Sequence, residues 1–486
     1  MIAPVPVAPK HVVIIGGGIA GLATAWTVQR RAAAGGLPIT CTVIEADTRW
    51  GGKILTRHHD DFIVEAGPDS FLSQKPAALA LCRDLGLEDE LTNTNPSAEK
   101  AFVFTKGRLR PLPEGLVTLA PGQLGPFLRS GIVSWRGAFR MGFDLVSPKR
   151  RVLADESVAS FFRRHFGQEA FAHFIEPLMA GIYAGDAEQM SLVATFPRFV
   201  ELEQHYGSII RGMWAGNRAR KAAAPAQERR TMFVTLRGGL GRLVETLVSR
   251  LEAAGVQMIV ARRAIGLLEE GGKVHHGYEI RLEDGEAIRA HLVVLATPAY
   301  VAADLLSVIS REAAALLAAI PYVSTATVAL GYDTRDLPGT VRGYGFVVPR
   351  VEGRDLLAAT WSSLKWPERA PAGSLSVRCY VGGMGREAIV KADDQTLLTR
   401  VRDDLAAIAG LRHAPRFTIV TRWERAMPQY HVGHLARMDR LFALTAQHHG
   451  LYLTGAAYRG IGIPDCIRDG VETGERVVHA CEQAWG

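Results

Sequence analysis

The segment HVVIIGGGIAGLATAWTVQR, residues 11–30, constrains the fold most strongly, because eighteen uncharged residues lie between its histidine and its arginine. That length would also suit a membrane-spanning helix, for which about 18 apolar residues is the threshold. The apolar run before the glycines is only as long as a strand, however, and Gly16 to Gly18 interrupt a helix. Helical spacing of apolar residues resumes after Gly21. The segment therefore predicts a strand, a glycine turn and a helix.

The spacing Gly16-x-Gly18-x-x-Gly21 is typical of dinucleotide-binding folds, in which helix amides face a pyrophosphate that the backbone approaches closely. A second apolar strand, ITCTVIEA, carries Glu45, 24 residues after Gly21, where an acid can accept hydrogen bonds from ribose hydroxyls. The alternative is a structural glycine turn followed by a solvated glutamate. The predicted dinucleotide contacts in this region are Gly16, Gly17, Gly18, Ile19, Ala20, Gly21, Glu45 and Ala46.

Further glycine turns favour FAD over NAD, although both cofactors use this scaffold. Gly51-Gly52-Lys53 comes soon after Glu45, and the segment Glu65-Ala66-Gly67-Pro68-Asp69-Ser70 forms a third turn. Near the end of the chain, GLYLTGAAYRGIGIPDCIRDGVETGERVV predicts a strand, a turn and a helix that begins near Pro464. The amides of that helix would stabilise negative charge on a reduced flavin. Distant segments that converge on one extended ligand indicate FAD.

Composition narrows the class of protein without naming a function. The 486 residues suffice for two or three domains, and the opening MIAPVPVAPK lacks the features of a signal peptide. Five scattered cysteines favour reduced thiols in a cytoplasm over disulfides or a zinc site. The net charge of +7 is compatible with an anionic membrane surface or an acidic substrate, and no nucleic-acid module is recognisable.

The motifs resemble the flavin monoamine oxidase superfamily and, within it, the porphyrinogen oxidases, above all their Bacillus-type, coproporphyrin-forming branch. The resemblance runs almost end to end, through GGGIAG, VIEA, GGKI, VEAGPDSFL, IEPLMAGIYAGD, TFPRF, VTRWERAMPQYHVGH and GIGIPDC. One departure from the wider superfamily is Ala456, which follows Gly455 where many relatives have an acid that contacts the ribityl chain. The resemblance implies further FAD contacts at Gly52, Lys53, Gly67, Pro68, Asp69, Ser70, Ala264, Trp423, Gly462, Ile463 and Pro464.

The resemblance also implies an α/β fold class, with a Rossmann-like FAD-binding domain, a substrate-binding sheet domain and a helical insertion. We expect a discontinuous FAD-binding domain, a substrate-binding domain made of three pieces, and a helical insertion that is a candidate membrane-facing domain. Their predicted ranges are 1–75, 230–300 and 415–486 for FAD, 76–95, 211–229 and 301–414 for substrate, and 96–210 for the insertion.

Two segments of the chain have their own predictions. Residues 218–230 are small and basic and predict a mobile loop. The segment GLVTLAPGQLGPFLRSGIVSWRGAFRMGF mixes apolar residues with Arg129, Arg136 and Arg140. Its composition fits an interfacial helix, the wall of a porphyrin cavity or ordinary core. Because no convincing spanning segment is visible, membrane contact is expected to be peripheral, on the inner face.

The implied activity is the six-electron oxidation of coproporphyrinogen III to coproporphyrin III in haem synthesis. FAD would take two electrons per turn by hydride transfer from a meso carbon, and O2 would reoxidise it to give hydrogen peroxide. A ferrochelatase is the implied downstream partner. Protoporphyrinogen IX is the alternative substrate, and an amine oxidase, a carotenoid desaturase or a porphyrin-binding flavoprotein without turnover are the remoter alternatives.

The resemblance assigns three residues to the substrate side. Tyr380 in RCYVGG matches a tyrosine near the flavin, Lys75 falls where the Bacillus-type branch has a lysine, and Ile182 in GIYAGD matches an apolar residue at the cavity. The alternatives are a buried strand tyrosine, a solvated lysine and core packing. Arg57 is a further candidate contact to flavin or substrate, and Arg198 in TFPRF departs from the branch pattern.

The pair His431 and His434 in QYHVGH invites a metal interpretation, because the two histidines lie three residues apart. The string is interrupted by glycine and has no third ligand nearby, so no metal site is expected. No general base is assigned, because a pyrrole N–H can lose its proton to solvent or to a weak base.

Overall fold

The computed structural model describes residues 9–98, 100–112, 116–117, 120–121, 129–149, 154–222, 230–271 and 276–483. The strands in these residues are β1 (Lys10–Ile15), β2 (Ile39–Ile44), β3 (Thr56–His59), β4 (Phe62–Glu65), β5 (Phe71–Leu72), β6 (Leu91–Asn93), β7 (Ala101–Thr105), β8 (Arg108–Pro111), β9 (Leu116–Val117), β10 (Ala120–Pro121), β11 (Phe233–Leu236), β12 (Gln257–Ile259), β13 (Ala264–Gly271), β14 (His276–Leu282), β15 (Ala287–Ala290), β16 (Leu292–Leu295), β17 (Tyr322–Asp333), β18 (Gly345–Val347), β19 (Leu356–Trp361), β20 (Ser374–Gly382), β21 (Phe417–Pro428) and β22 (Leu451–Leu453).

The α-helices of the described residues vary from single turns to a long C-terminal helix. They are α1 (Ile19–Gly35), α2 (Pro76–Asp84), α3 (Trp135–Gly142), α4 (Val158–Ala170), α5 (Glu176–Tyr183), α6 (Leu192–Thr195), α7 (Pro197–Tyr206), α8 (Ile209–Ala222), α9 (Gly241–Ala253), α10 (Ala299–Leu306), α11 (Arg311–Ala318), α12 (Ser362–Lys365), α13 (Ala388–Lys391), α14 (Asp394–Ala409), α15 (His434–Thr445) and α16 (Ile463–Gln483).

A five-stranded parallel sheet in the order β12-β2-β1-β16-β22 forms the first layer. β1 and β2 are buried along most of their length, as the apolar runs in the sequence predict. Helices α1 and α16 pack against each other, and a Cβ at Gly470 would come within 2.4 Å of the Ala20 carbonyl oxygen. The strand, glycine turn and helix predicted for residues 11–30 are therefore present as β1 and α1.

A seven-stranded sheet in the order β21-β17-β20-β19-β18-β7-β8 forms the second unit. Its central strands pair antiparallel, and α14 packs beside them in a separate apolar core with Leu397, Val401 and Leu405. The third unit is helical, from α3 to α8, around a core rich in phenylalanine that includes Phe161, Phe162 and Phe174. Within the described parts of the chain, no helix is both long and apolar enough to cross a membrane.

The structure differs from the predicted boundaries at three points. β7 and β8, in the range predicted for the helical insertion, pair into the edge of the seven-stranded sheet. β21, in the range predicted for the FAD-binding domain, pairs with β17 at the opposite edge. Residues 218–222, predicted as part of a mobile loop, continue α8, whereas 223–229 lie outside the described residues. Strand pairing is set by distant segments, which a local sequence pattern does not reveal.

Candidate functional site

The turn between β1 and α1 forms an open cradle at the edge of the parallel sheet. Gly18 is the N-cap of α1, and no side chain caps the amides of this first turn. A Cβ added at Gly18 would meet nothing within 4 Å. The second glycine turn lies beside it, because the Gly51 amide donates to the Gly17 carbonyl oxygen at 2.8 Å. Free amides at a positive helix end in open space suit a pyrophosphate, so these residues fit the predicted dinucleotide.

The other glycines of the motif serve packing rather than open space. Gly16 has φ +114°, and its Cβ would come within 2.7 Å of the Ala296 carbonyl oxygen. A Cβ at Gly21 would lie 2.0 Å from the Gly16 carbonyl oxygen, and one at Gly17 would overlap the Trp50 ring at 2.3 Å. Ile19 and Ala20 are the first two residues of α1, at the end that borders the cradle.

Glu45 follows the carboxyl end of β2, next to the cradle. Its carboxylate accepts from the Gly17 amide at 2.7 Å and from the Asp47 amide at 2.8 Å. The Glu45 carbonyl also accepts from the Arg262 amide at 3.0 Å, which brings the start of β13, with Ala264, to this edge. Ala46 lies next to Glu45 in the chain. The contact between Glu45 and a ribose remains a prediction.

The turn at Gly67 is enclosed on two sides. A Cβ at Gly67 would lie 1.8 Å from the Lys53 carbonyl oxygen, so that only glycine fits against the second glycine turn. The Ala66 carbonyl oxygen accepts from the Trp423 indole at 2.9 Å and from the Thr327 hydroxyl at 2.8 Å. The seven-stranded sheet thus fixes this turn against the dinucleotide cradle.

Asp69 follows Pro68 and is a buried carboxylate with cationic partners. It accepts from Lys365 at 3.0 Å, from the Trp366 indole at 3.4 Å and from Ser70 at 2.7 Å. Burial alone would raise the pKa of Asp69, but Lys365 and Arg378 hold it far below its usual range. The charge of the Asp69 carboxylate is therefore balanced by Lys365 and Arg378, and no local sequence pattern singles out Lys365.

Tyr380 lies on β20, where its ring packs against an apolar cluster that includes Ala180, Ala184 and Leu357. Its hydroxyl oxygen accepts from the Nε atom of Arg378 at 2.6 Å and also from a terminal guanidinium nitrogen. Burial raises the pKa of Tyr380, while the Arg378 charge opposes that rise. Leu375, Val377, Cys379 and Val381 alternate with Arg378 and Tyr380, and this period of two was the signal that could have identified Arg378.

Lys75 and Ile182 reach the same region from two other elements. Lys75 is the N-cap of α2, and its ammonium group pairs with Asp465 in the first turn of α16 at 2.5 Å. Ile182 lies in the last turn of α5 and is 51% exposed, so that it is not part of the core. Its neighbour Tyr183 lies within electrostatic range of Asp465.

The first turn of α16 is built around glycines and a buried acid. Gly462 precedes Ile463 and Pro464, and a Cβ at Gly462 would lie 3.0 Å from a carboxylate oxygen of Asp465. Ala456 does leave the position after Gly455 without an acid, as the sequence indicates. Asp469 instead supplies a buried carboxylate, which accepts from the Gly455 amide at 2.9 Å and from the Thr454 hydroxyl at 2.7 Å. Asp465 and Asp469 were both missed by sequence reasoning.

The remaining residues that the sequence singled out lie apart from the glycine turns and the buried charges described above. Arg57 and Arg198 are exposed, on β3 and α7 respectively. His434 is fully buried, stacks on Tyr430 and bonds the Tyr458 carbonyl, and burial lowers its pKa to about 4. Among the residues that the structure describes, no group of three or more His, Cys, Asp and Glu side chains could hold a metal ion.

Comparison with known proteins adds to this geometry. The family model described as "Flavin containing amine oxidoreductase" matches residues 19–478. The chain is 38% identical to coproporphyrinogen III oxidase from Bacillus subtilis, over 95% of this chain and 96% of that protein. It is 33% identical to the chloroplastic protoporphyrinogen oxidase 1 of Arabidopsis thaliana, over 95% and 86%. A crystal structure from Exiguobacterium sp. 255-15 superposes with a TM-score of 0.84 at 31% identity, over 97% of this chain and 99% of that one.

Proposed function

Because the chain belongs to the family of flavin-containing amine oxidoreductases, we propose that it is an FAD-dependent oxidase that converts coproporphyrinogen III to coproporphyrin III. Family membership confirms the predicted fold class and the predicted flavin cofactor. The observation that carries the substrate proposal is the 38% identity, over 95% of the chain, to a relative of that name. The proposed reaction removes six electrons and six protons, with O2 as the final acceptor and hydrogen peroxide as its product.

The chain's own residues divide the work of holding FAD. The amides of Ile19 to Gly21 and the open space at Gly18 would take the pyrophosphate, and Glu45 would accept from ribose hydroxyls. The first turn of α16 places a positive helix end beside the site. The chemistry that FAD supplies when bound is two-electron oxidation of the substrate and reduction of O2. The protein's part is to position and desolvate the reactants.

The substrate side combines an apolar wall with cationic groups. Tyr380, backed by its buried apolar cluster, and the exposed Ile182 would contact the flexible macrocycle of a porphyrinogen. Lys75 is 46% exposed and offers its ammonium to a propionate, while Asp465 holds it in place. A substrate with four propionates gains more from a lysine at this position than a substrate with two. This difference is the physical ground for preferring the coproporphyrinogen.

Protoporphyrinogen IX is the second candidate substrate, and the 33% identity to a plant protoporphyrinogen oxidase favours it. The deciding experiment mixes the FAD-loaded protein in air with anaerobically prepared coproporphyrinogen III or protoporphyrinogen IX and follows porphyrin fluorescence against an enzyme-free control. A higher kcat/KM for the copro substrate supports the proposal. A higher value for the proto substrate overturns the substrate assignment, and acceleration of neither overturns the porphyrinogen reaction as well.

Peripheral membrane contact through α3 is a further part of the proposal. Trp135, Phe139, Phe143 and Val146 are 51–77% exposed and recur at helical spacing, with Arg136 and Arg140 beside them. Exposed aromatics next to arginines suit an anionic bilayer surface on the cytoplasmic side. The product would then pass to a downstream ferrochelatase.

Vesicle sedimentation tests the membrane contact. Binding to vesicles with anionic lipid should fall strongly in F139E and stay unchanged in V308E, which alters an equally exposed apolar residue elsewhere (Val308 is 74% exposed). Equal binding of both variants, or equal binding of the native protein to neutral vesicles, would contradict this part of the proposal.

A further inference from the structure

Arg378 is a charged residue in the middle of an otherwise uncharged strand, β20, and it is only 4% exposed. Burial of a guanidinium is costly unless its N–H groups find acceptors. Those acceptors all belong to the candidate site. One terminal nitrogen donates to the Glu65 carbonyl at 3.0 Å and to the Gly67 carbonyl at 2.7 Å. The other N–H groups face Tyr380 and Asp69.

The guanidinium therefore connects two parts of the site that come from different sheets. On one side lies the turn that carries Gly67, Pro68 and Asp69, which is predicted to contact FAD. On the other side lies Tyr380, predicted to face substrate, whose hydroxyl oxygen accepts from two guanidinium nitrogens. The carboxylate of Asp69 lies 3.7 Å from Arg378 and supplies the opposite charge.

The hydrogen bonds also fix the direction of the Tyr380 proton. A phenolic oxygen has two lone pairs, which accept from the two N–H groups of Arg378, and the Thr360 side chain on β19 is a further hydrogen-bond partner of the same hydroxyl. The O–H bond must then point away from Arg378. Burial raises the pKa of Tyr380. Burial would lower the pKa of Arg378, but the interactions of Arg378 with Tyr380 and Asp69 outweigh burial and raise it. At neutral pH the tyrosine is neutral and the arginine charged, so the tyrosine can act as a hydrogen-bond donor.

We propose that Arg378 is a positioning residue that holds the Tyr380 hydroxyl as a directed hydrogen-bond donor and, through the Glu65 and Gly67 carbonyls, holds the flavin-contacting turn. The proposal rests on the proposed function for its catalytic half only. Its cofactor half concerns the turn and does not depend on which substrate is oxidised. Asp69 and Lys365 complete the same buried group and keep its charges paired.

The test compares R378M, R378K and Y380F with the native protein, first without any substrate. Release of flavin fluorescence gives the dissociation constant of FAD. R378M should raise it about tenfold or more, because two carbonyls lose a charged donor in a buried place. Y380F should leave it unchanged, since the hydroxyl does not contact the turn. R378K should recover part of the loss, because lysine lacks the forked geometry that reaches both partners.

The second readout is a double-mutant cycle on turnover. R378M and Y380F should each lower kcat, and the double variant should be no slower than R378M alone, because both changes remove the same directed donor. If the double variant instead lost kcat by the product of the two single losses, Arg378 would not act through the Tyr380 hydroxyl, and the catalytic half of the proposal would be overturned. An unchanged FAD dissociation constant in R378M would overturn the cofactor half, which concerns the turn. If R378M does not fold, R378K replaces it in both measurements, the FAD dissociation constant and the double-mutant cycle on kcat with Y380F. Absence of turnover in the native protein would count against the proposed function, and the FAD measurement would still decide the cofactor half.

Discussion

Two buried groups of charges, one in the helical unit and one at the candidate site, differ in a way that assigns them different roles. The helical cluster comprises Asp144, Arg164, His165 and Glu203, in which a histidine lies between two carboxylates. The site cluster comprises Glu65, Asp69, Lys365, Arg369 and Arg378 and has no histidine. Both bury charge at high cost, but only the helical cluster contains a histidine, the side chain whose ordinary pKa lies near neutral pH.

The helical cluster holds several helices together through one imidazole. His165 Nδ1 lies 2.5 Å from Asp144, and its Nε2 lies 3.2 Å from Glu203 and 3.1 Å from a guanidinium nitrogen of Arg164, whose charge opposes protonation of the imidazole. Asp144 also accepts from the Ser208 hydroxyl and from the Ile210 amide, at 2.7 and 2.9 Å, and so caps the start of α8. The imidazole donates to both carboxylates only when it is protonated.

The site cluster contains two carboxylates whose pKa values move in opposite directions, because burial raises the pKa of Glu65 whereas cations hold down that of Asp69. Arginine and lysine hold the pKa of Asp69 far below its usual range, against the effect of burial. Arg369 pairs with Glu65 at 3.4 Å, and Glu65 also accepts from the Leu240 amide at 2.7 Å at the start of α9. We infer that Asp69 keeps its charge as pH rises through the range in which the helical unit loses the stabilisation from His165.

The largest expected effect is that of removing the central acid of the helical cluster. D144A deprives His165, the Ser208 hydroxyl and the amides at the start of α8 of their acceptor. Breaking a buried pair of this kind costs about 3–5 kcal/mol, so the free energy of unfolding from urea denaturation should fall by that amount. E312Q removes a carboxylate from an exposed pair with Arg440 and should leave the unfolding curve unchanged. Equal effects of the two variants would refute the view that the buried cluster is structural.

The second effect is a pH dependence carried by His165. Burial would lower the pKa of His165, but its bonds to Asp144 and Glu203 raise it above that of the unfolded chain. The stabilisation is therefore complete below about pH 6.5 and is lost as pH rises through the folded pKa, by about 1.4 kcal/mol per unit of upward shift. The free energy of unfolding of the native protein minus that of H165Q should decrease as pH rises above about 6.5.

Over the same pH range, the FAD dissociation constant should not follow the loss of the His165 stabilisation, because His165 lies in the helical unit and Asp69 at the site keeps its charge. The difference between native protein and H165Q isolates His165 from His173, His291, His431 and His434, whose pKa values are lowered by burial and whose contributions are lost as pH falls. If the FAD affinity changed with pH in parallel with the difference in free energy of unfolding between the native protein and H165Q, the two clusters would be coupled.

The third prediction uses substitutions at the two ends of α1, one expected to weaken FAD binding and the other to lower the stability of the fold. G18A adds a methyl group where nothing lies within 4 Å, so the FAD-free protein should unfold as the native protein does. The methyl group would enter the space of the pyrophosphate, and we expect FAD affinity to fall about tenfold, or 1.4 kcal/mol. G36A is the matched control at the other end of α1, where φ is +62°. It should cost roughly 1 kcal/mol of stability and leave FAD affinity unchanged.

Local segments of the fold could be predicted from sequence, but the partners of charged residues could not. The strand, turn and helix from Lys10 to Gly35 follow from residues that are neighbours in the chain, and the glycines reveal the turn directly. Lys75 and Asp465 are 390 residues apart, and Asp69 and Lys365 are 296 apart. No local pattern connects such pairs, because the topology of two sheets brings them together. Arg378 is intermediate, since its period-two relation to Tyr380 was visible in the sequence.

The smallest expected effect is a change in KM on removal of Lys75, whose pair with Asp465 is neither fully buried nor fully exposed. Lys75 is 46% exposed and Asp465 is 8% exposed, so water screens the lysine on its open side. We expect K75M to raise KM for coproporphyrinogen III about threefold to fivefold, because pairs this open contribute up to about 1 kcal/mol. KM for protoporphyrinogen IX, with two fewer propionates, should change less. R57M removes an exposed cation from β3 and should change neither value. An equal rise of KM for both substrates in K75M would mean that Lys75 supports the fold of the cavity through Asp465, and that it does not select carboxylates.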